Sequence, residues 1–213
     1  MKLKEEARIT YAKFSLIDGN KHIAKQFSIQ IVLNIVTDFK INKVLELGLG
    51  IGSISDAVLN YVERKNFKVD YSGTEDNDFC LNALKNNVDK YQKLTIYKEL
   101  DSIPTKDKFD LVIIDGQDKS LSKIKEYVSE NSLVFIENGR DDQVATLKKY
   151  FPQALSVRIS SNYKNLPGGP YDENAWSGGG TLIFLFPNIK YKIYWFKQKV
   201  RTFIIWKKRK YLG

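Results

Sequence analysis

Short apolar runs recur along the chain at Val44 to Leu47, Val69 to Gly73, Leu94 to Tyr97, Leu111 to Ile114, Leu133 to Ile136, Leu155 to Ile159 and Thr181 to Phe186. Each has the length of a buried strand. Between most of them lie polar stretches whose apolar residues return every three or four positions, as in Ile54-Val58-Tyr61-Val62 and Val144-Leu147-Tyr150-Phe151. Such spacing puts the apolar side chains on one face of a helix. The alternation predicts an α/β fold, a doubly wound and mostly parallel seven-stranded sheet. The last two runs are joined by a Gly/Pro/Asn-rich stretch without helical periodicity, so the last strand is expected to be antiparallel. If the sixth strand runs with its neighbours, this stretch leaves it at the carboxyl edge, where open α/β sheets bind ligands. Tyr163, Tyr171, Asp172, Glu173 and Trp176 would then overhang a site; a plain surface loop is the other reading.

The pattern changes after Pro187-Asn188. From there Ile189, Ile193, Phe196, Val200 and Phe203 fall at spacings of three and four, a single apolar stripe, with Tyr191, Tyr194, Trp195, Trp206 and Tyr211 on or beside it. This predicts a C-terminal basic amphipathic helix, and a division into a domain over 1–188, with an N-terminal cap and first helix in 1–42, and a tail over 189–213. Charge sharpens the division. Of 34 basic residues nine lie in the tail, which has no acid, leaving 25 to balance the 25 acidic residues of the body. The whole net charge of +9 sits in the tail. An apolar stripe among cations suits an anionic membrane surface. Packing against the domain or in a homodimer is a second reading, and nucleic acid a third and less favoured one.

Composition narrows the setting further. A hydrophobic share of 43% and an aromatic share of 13% belong to a globular chain. One cysteine, Cys80, excludes an intrachain disulfide, and one histidine, His22, leaves no zinc site of Cys and His. No apolar run has signal-peptide or membrane-spanning length, so a cytoplasmic setting is expected, with peripheral association at the inner face of the membrane through the tail.

Candidate chemistry concentrates in Lys43-Val44-Leu45-Glu46-Leu47-Gly48-Leu49-Gly50-Ile51-Gly52-Ser53. A buried strand runs into three alternating glycines and then a helix, a turn in which a ligand can approach bare backbone. A dinucleotide fingerprint would place its third glycine one position later, where Ser53 stands, and Glu46 would repel a pyrophosphate. An acid there suits an amino group. Val69 to Glu75 is a second strand, ending about 25 residues beyond the loop in an acid, close to the spacing at which a carboxylate meets ribose hydroxyls. Asp76 and Asp78 are its neighbours.

These two segments resemble the first two motifs of the class I, Rossmann-like S-adenosylmethionine-dependent methyltransferases, and the resemblance covers roughly Phe27 to Phe186. It implies S-adenosyl-L-methionine as cofactor, with Glu46, Gly48, Gly50 and Gly52 facing its methionine part and Glu75, with Asp76, its ribose. It implies Glu99 or Asp101 at the adenine, and Asp115, which ends Phe109 to Ile114, beside the transferring methyl. The following strand ends in Glu137-Asn138. In the catechol-type O-methyltransferases an Asp at the first tip and an Asp-Asn pair at the second hold magnesium, so Asp115, Glu137 and Asn138 are candidate Mg2+ ligands. Glu137 stands where Asp is usual, and the alternative is that Glu137 and Asn138 cap the next helix.

The implied activity is methyl transfer to a hydroxyl of a small or membrane-proximal acceptor, a saccharide or lipid-linked one included, with Asp115 as catalytic base. A non-catalytic cofactor-binding or scaffolding module recruited to membrane by its tail, a nucleic-acid-directed methyltransferase and a transferase using decarboxylated cofactor are the alternatives. Asp115-Gly116-Gln117-Asp118 departs from the Pro-Pro motif of enzymes that methylate exocyclic amines of bases. Cys80, in the helix after the second motif, is poorly placed for the thiol that cytosine C5 methylation needs. Phe14 to Phe27 is expected to cap the cofactor, with His22 a second candidate base.

Overall fold

The computed structural model describes residues 2–117 and 120–212, so Asp118 of the fourth motif lies outside the described residues. Its strands are β1 (Lys43–Leu47), β2 (Asp70–Thr74), β3 (Leu94–Tyr97), β4 (Phe109–Ile114), β5 (Val128–Glu137), β6 (Leu155–Ser160) and β7 (Gly179–Phe184). Its α-helices are α1 (Leu3–Ser15), α2 (Gln26–Phe39), α3 (Ser53–Arg64), α4 (Asp78–Asn87), α5 (Asp141–Tyr150) and α6 (Ile189–Leu212). The strands form one seven-stranded sheet in the order β3-β2-β1-β4-β5-β7-β6. The first five are mutually parallel, and β7 inserts antiparallel between β5 and β6. The expected α/β sheet with an antiparallel last strand is therefore found.

Successive residues of a strand face opposite sides of the sheet, and both sides are buried here. Val44, Leu111, Ile113, Leu133 and Phe135 join the core beneath α1, α2 and α3. Leu45, Leu47, Val112, Ile114, Val134 and Ile136 join the opposite core, with Leu147 of α5 and with Leu121 and Ile124 of a 3-10 turn. Being covered on both sides is why these strands read as continuous apolar runs. Helix α2 lies between α1 and the sheet and buries nine of its fourteen residues. It stops at Lys40, whose backbone is left-handed with φ 53°.

Helix α6 lies along β6, the edge strand. Trp195 Nε1 donates to the Ser156 carbonyl at 2.8 Å, Thr202 Oγ1 to the Arg158 carbonyl at 2.8 Å and Arg209 Nε to the Ser161 carbonyl at 3.0 Å. Side chains thus satisfy carbonyls that an open sheet edge leaves bare. At the start of the helix Tyr191 and Tyr194 pack against Phe39 and Phe184, with ring centroids 4.8 to 6.1 Å apart. The docked face is not the one that the sequence pattern singles out. Ile189, Ile193, Phe196, Val200 and Phe203 all point to solvent. No described helix is long and apolar enough to cross a membrane.

Candidate active site

Three strand ends are tied together at the middle of the carboxyl edge. Gly48 N and Leu49 N donate to the Thr74 carbonyl at 3.2 and 3.0 Å, and Asp115 N donates to the Leu47 carbonyl at 3.0 Å. The chain then passes through Gly48, Gly50 and Gly52 at φ 87°, 54° and 97° and enters α3. Glycine is required at Gly48 twice over: its φ is left-handed, and a Cβ would lie 2.5 Å from the Asp115 carbonyl oxygen.

Glu75 braces this turn. Its Oε2 accepts from Gly50 N at 2.7 Å, and its Oε1 accepts from Asp76 N at 3.1 Å and Asn77 N at 2.9 Å. A carboxylate has about four acceptor positions. Three are committed to backbone here, so the carboxylate holds the loop and has about one position left for a ligand hydroxyl.

Beside this turn opens a cleft of about 460 Å³, a size that suits a small-molecule ligand. Gly48, Glu75, Asp76, Glu99 and Asp115, all expected from the sequence, line it, as does Asp101. Leu47 and Leu100 give it apolar wall, and Lys98 is the one cation among its described lining residues. Asp101 is paired with Lys123. A wall so rich in carboxylates attracts a cation carrying hydroxyl and amino donors and repels a polyphosphate.

No protein-family model matches this chain, and no curated protein matches it. Solved structures do. A methyltransferase from Podospora anserina with S-adenosylhomocysteine bound is 13% identical, with 85% of this chain and 86% of that chain covered at a TM-score of 0.55. The O-methyltransferase TomG from Streptomyces achromogenes, solved with S-adenosylmethionine, is 12% identical, with 86% and 89% covered at a TM-score of 0.54. A precorrin-6y C5,15-methyltransferase from Geobacter metallireducens is 14% identical, with 76% and 88% covered at a TM-score of 0.51. The chain has the class I methyltransferase fold.

Within that fold the structure relocates Glu46. It does not line the cleft; it is buried below the glycine turn, where its Oε2 accepts from the Tyr71 hydroxyl at 2.7 Å. Burial holds its carboxyl well above the usual range, partly offset by the Tyr71 bond and reinforced by the charges of Asp115 and Glu75. Gly50 and Gly52 likewise shape the turn without lining the cleft, Gly52 standing at the N-cap of α3. Of the residues expected at the cofactor, these three shape the turn and its support, and Gly48 lines the cleft.

At the opposite end of the cleft, burial again sets the chemistry. The Asp115 carboxyl is pushed up to about 8 by desolvation and by the neighbouring Glu137 charge, against the pull of Arg140. Glu137 is buried; desolvation raises it too, and its Oε1 accepts from Ser28 Oγ at 2.9 Å. Tyr171, on the loop between β6 and β7, feels the charge of both acids, and its hydroxyl donates to the Ile23 carbonyl.

The magnesium expectation is not supported. Glu137 turns to Ser28, and Asn138 is exposed on a left-handed turn at φ 59°. No group of three or more Asp, Glu, His or Cys side chains able to hold a cation exists among the described residues. The Glu137 carboxylate reaches Ser28 of α2 while its charge still bears on Asp115. Nor do Glu137 and Asn138 cap α5, whose N-cap is Arg140, with no side-chain cap bond.

The overhanging loop is also corrected. Only Tyr171 of the five residues approaches the acids. Tyr163 donates to Gln30 Oε1 at 2.9 Å and packs edge-on to Phe27, Trp176 lies under the Arg209 guanidinium, and Asp172 and Glu173 are exposed. The segment from Phe14 to Phe27 leans on the glycine turn, with Ala24 N donating to Ser53 Oγ at 3.3 Å. It supplies none of the described residues that line the cleft, and His22 is exposed. Sequence reasoning missed Thr74, Lys98, Gln117, Ser120 and the clamp of Gln143 Nε2 on the Gly116 carbonyl at 2.9 Å. Thr74 ends its strand and the next three lie one to six residues past a strand end, so counting along the carboxyl edge could have found them; the clamp has no local signal.

Proposed function

We propose that this chain transfers the methyl group of S-adenosylmethionine to a hydroxyl of a small or membrane-proximal acceptor, a saccharide or lipid-linked one included. The observation that carries the reading is the continuity of one cleft. An acidic stretch suited to a sulfonium nucleoside runs directly to Asp115, a carboxyl whose proton affinity is tuned near neutral pH. The residues present fit the cofactor: Glu75, Asp76 and Glu99 would meet its ribose and base, Leu100 would back the base, and the Gly48 turn would meet its amino-acid part. When bound, the cofactor supplies an electrophilic methyl on a positively charged sulfur.

The chain's own task is then alignment and removal of one proton. Asp115 in its ionised form would accept the proton of the acceptor hydroxyl, whose oxygen would take the methyl group that the cofactor supplies in becoming a neutral thioether. Glu137 keeps the Asp115 proton affinity high enough for that exchange. O-methyltransferases among the structural neighbours support a hydroxyl acceptor, and a precorrin C-methyltransferase beside them marks carbon as the competing choice. Titration calorimetry with S-adenosylhomocysteine tests the reading, with saturable binding expected. No heat at millimolar ligand would reject it, and binding without methyl transfer into any cell-extract fraction would leave a cofactor-binding module.

A further inference from the structure

Helix α6 carries two apolar faces, and only one has a partner in the fold. Tyr191, Trp195 and Ile205 face the domain. On the opposite side Ile189, Ile193, Phe196, Val200, Phe203 and Ile204 are between 43% and 77% exposed. Isolated apolar residues on a surface need no explanation, but a continuous stripe over most of a 24-residue helix does. The cations are placed with respect to it. At about 100° per residue, Lys190, Lys197, Arg201 and Lys208 project on one side of the stripe, and Lys192, Lys199 and Lys210 on the other, while Lys207 falls on the line of the stripe near its C-terminal end. Two furrows of about 480 and 470 Å³ run along the helix, one floored by Phe196, Val200 and Ile204 and rimmed by Lys197, Arg201 and Lys208, the other holding Phe203 and Trp206 beside Lys199.

We propose that α6 lies flat on an anionic lipid surface, its apolar stripe at the depth of the first methylenes and its two rows of cations among the headgroup phosphates. This surface is independent of the methyl-transfer reading. Charge order decides the occupant. Nucleic acid places phosphate where the cations are densest and offers nothing to a central row of Ile, Val and Phe. A second copy meeting stripe to stripe about a two-fold axis would set cation against cation, with no acid anywhere in the helix to relieve it. A bilayer alone presents a broad apolar layer under a sheet of negative charge. The helix is already formed and bonded to β6 at three carbonyls, so binding does not have to order it.

The test uses the full chain, because removing α6 would bare the β6 edge. With vesicles of mixed phosphatidylglycerol and phosphatidylcholine the chain is expected to co-float, and with phosphatidylcholine alone to stay behind. Phe196→Glu with Phe203→Glu should abolish flotation. Lys197→Glu with Lys208→Glu should weaken it by roughly thirty-fold or more, since each surface cation contributes about five-fold. All four positions are exposed, and unchanged thermal melting would confirm that each variant folds. Of three tryptophans only Trp206 is largely exposed, so brominated lipid should quench its emission, and Trp206→Phe should remove the quenched component. The proposal is overturned if the chain ignores anionic vesicles at low salt or if both double variants float like the parent. It is equally overturned if the parent sediments as a dimer that Phe196→Glu dissociates, or binds duplex DNA or RNA more tightly than vesicles.

Discussion

The two ends of the cleft hold the same functional group in different settings. At one end Glu75 is partly exposed and its oxygens accept from three backbone N–H groups, which fix it in place. At the other end Asp115 and Glu137 crowd one another with little water, which favours the proton-bound form. The difference separates two jobs. A carboxylate that recognises should be rigid, whereas one that moves a proton should sit close to the balance point.

The sharpest way to break this comparison is Asp115→Asn. A general base contributes typically 10²–10⁴-fold, and a loss of about that size in single-turnover methyl transfer is expected, with little change in S-adenosylhomocysteine affinity. In the parent, transfer should rise as pH passes upward through about 8 and Asp115 gives up its proton; the Asn variant should lack that rise. Stability should move the other way. Asp115 holds its proton more tightly folded than unfolded, so its contribution is full below the ordinary carboxylate range and is lost as pH climbs through about 8. The parent's melting temperature should fall over that window more than the variant's.

Glu75→Ala tests the opposite end. Charged hydrogen bonds are worth about 1.5–3 kcal/mol, so calorimetry should show roughly ten- to hundred-fold weaker S-adenosylhomocysteine binding, with no new pH dependence. If instead the rate falls and the affinity holds, the division of labour is wrong. The smallest effect should come from Ser28→Ala, which strips one donor from Glu137. A stability loss of about 1 kcal/mol in denaturant unfolding is expected, together with a fall in the pH at which transfer switches on, because a Glu137 held less firmly in its charged form raises Asp115 less.

Most of the sheet was legible in the sequence. All seven strands lie within a few residues of their apolar runs, most plainly β4, β7 and the end of β5, where burial on both faces leaves few polar positions to blur the signal. The cleft was legible where function sits at strand ends, as with Gly48, Glu75, Glu99 and Asp115. The bond of Glu46 to Tyr71 beneath the turn was not legible, because it joins two strands that the motif treats separately. The bond of Glu137 to Ser28 of α2 is likewise a tertiary contact that no motif shows. The tail stripe was read correctly as a stripe. Its exposure was not legible, since the residues that dock α6 (Tyr191, Trp195, Thr202, Arg209) are amphipathic and do not announce a buried face.

The insertion of β7 between β5 and β6 has a consequence for how the chain is made. During synthesis β6 emerges with its eventual neighbour still unbuilt, and β5 ends in an unfilled edge. Neither can complete its ladder until residue 184 has left the ribosome, and the helix that covers the final edge arrives later still. The growing polypeptide must therefore carry two open strand borders until β7 is complete, and open borders are where a chain pairs with the wrong neighbour.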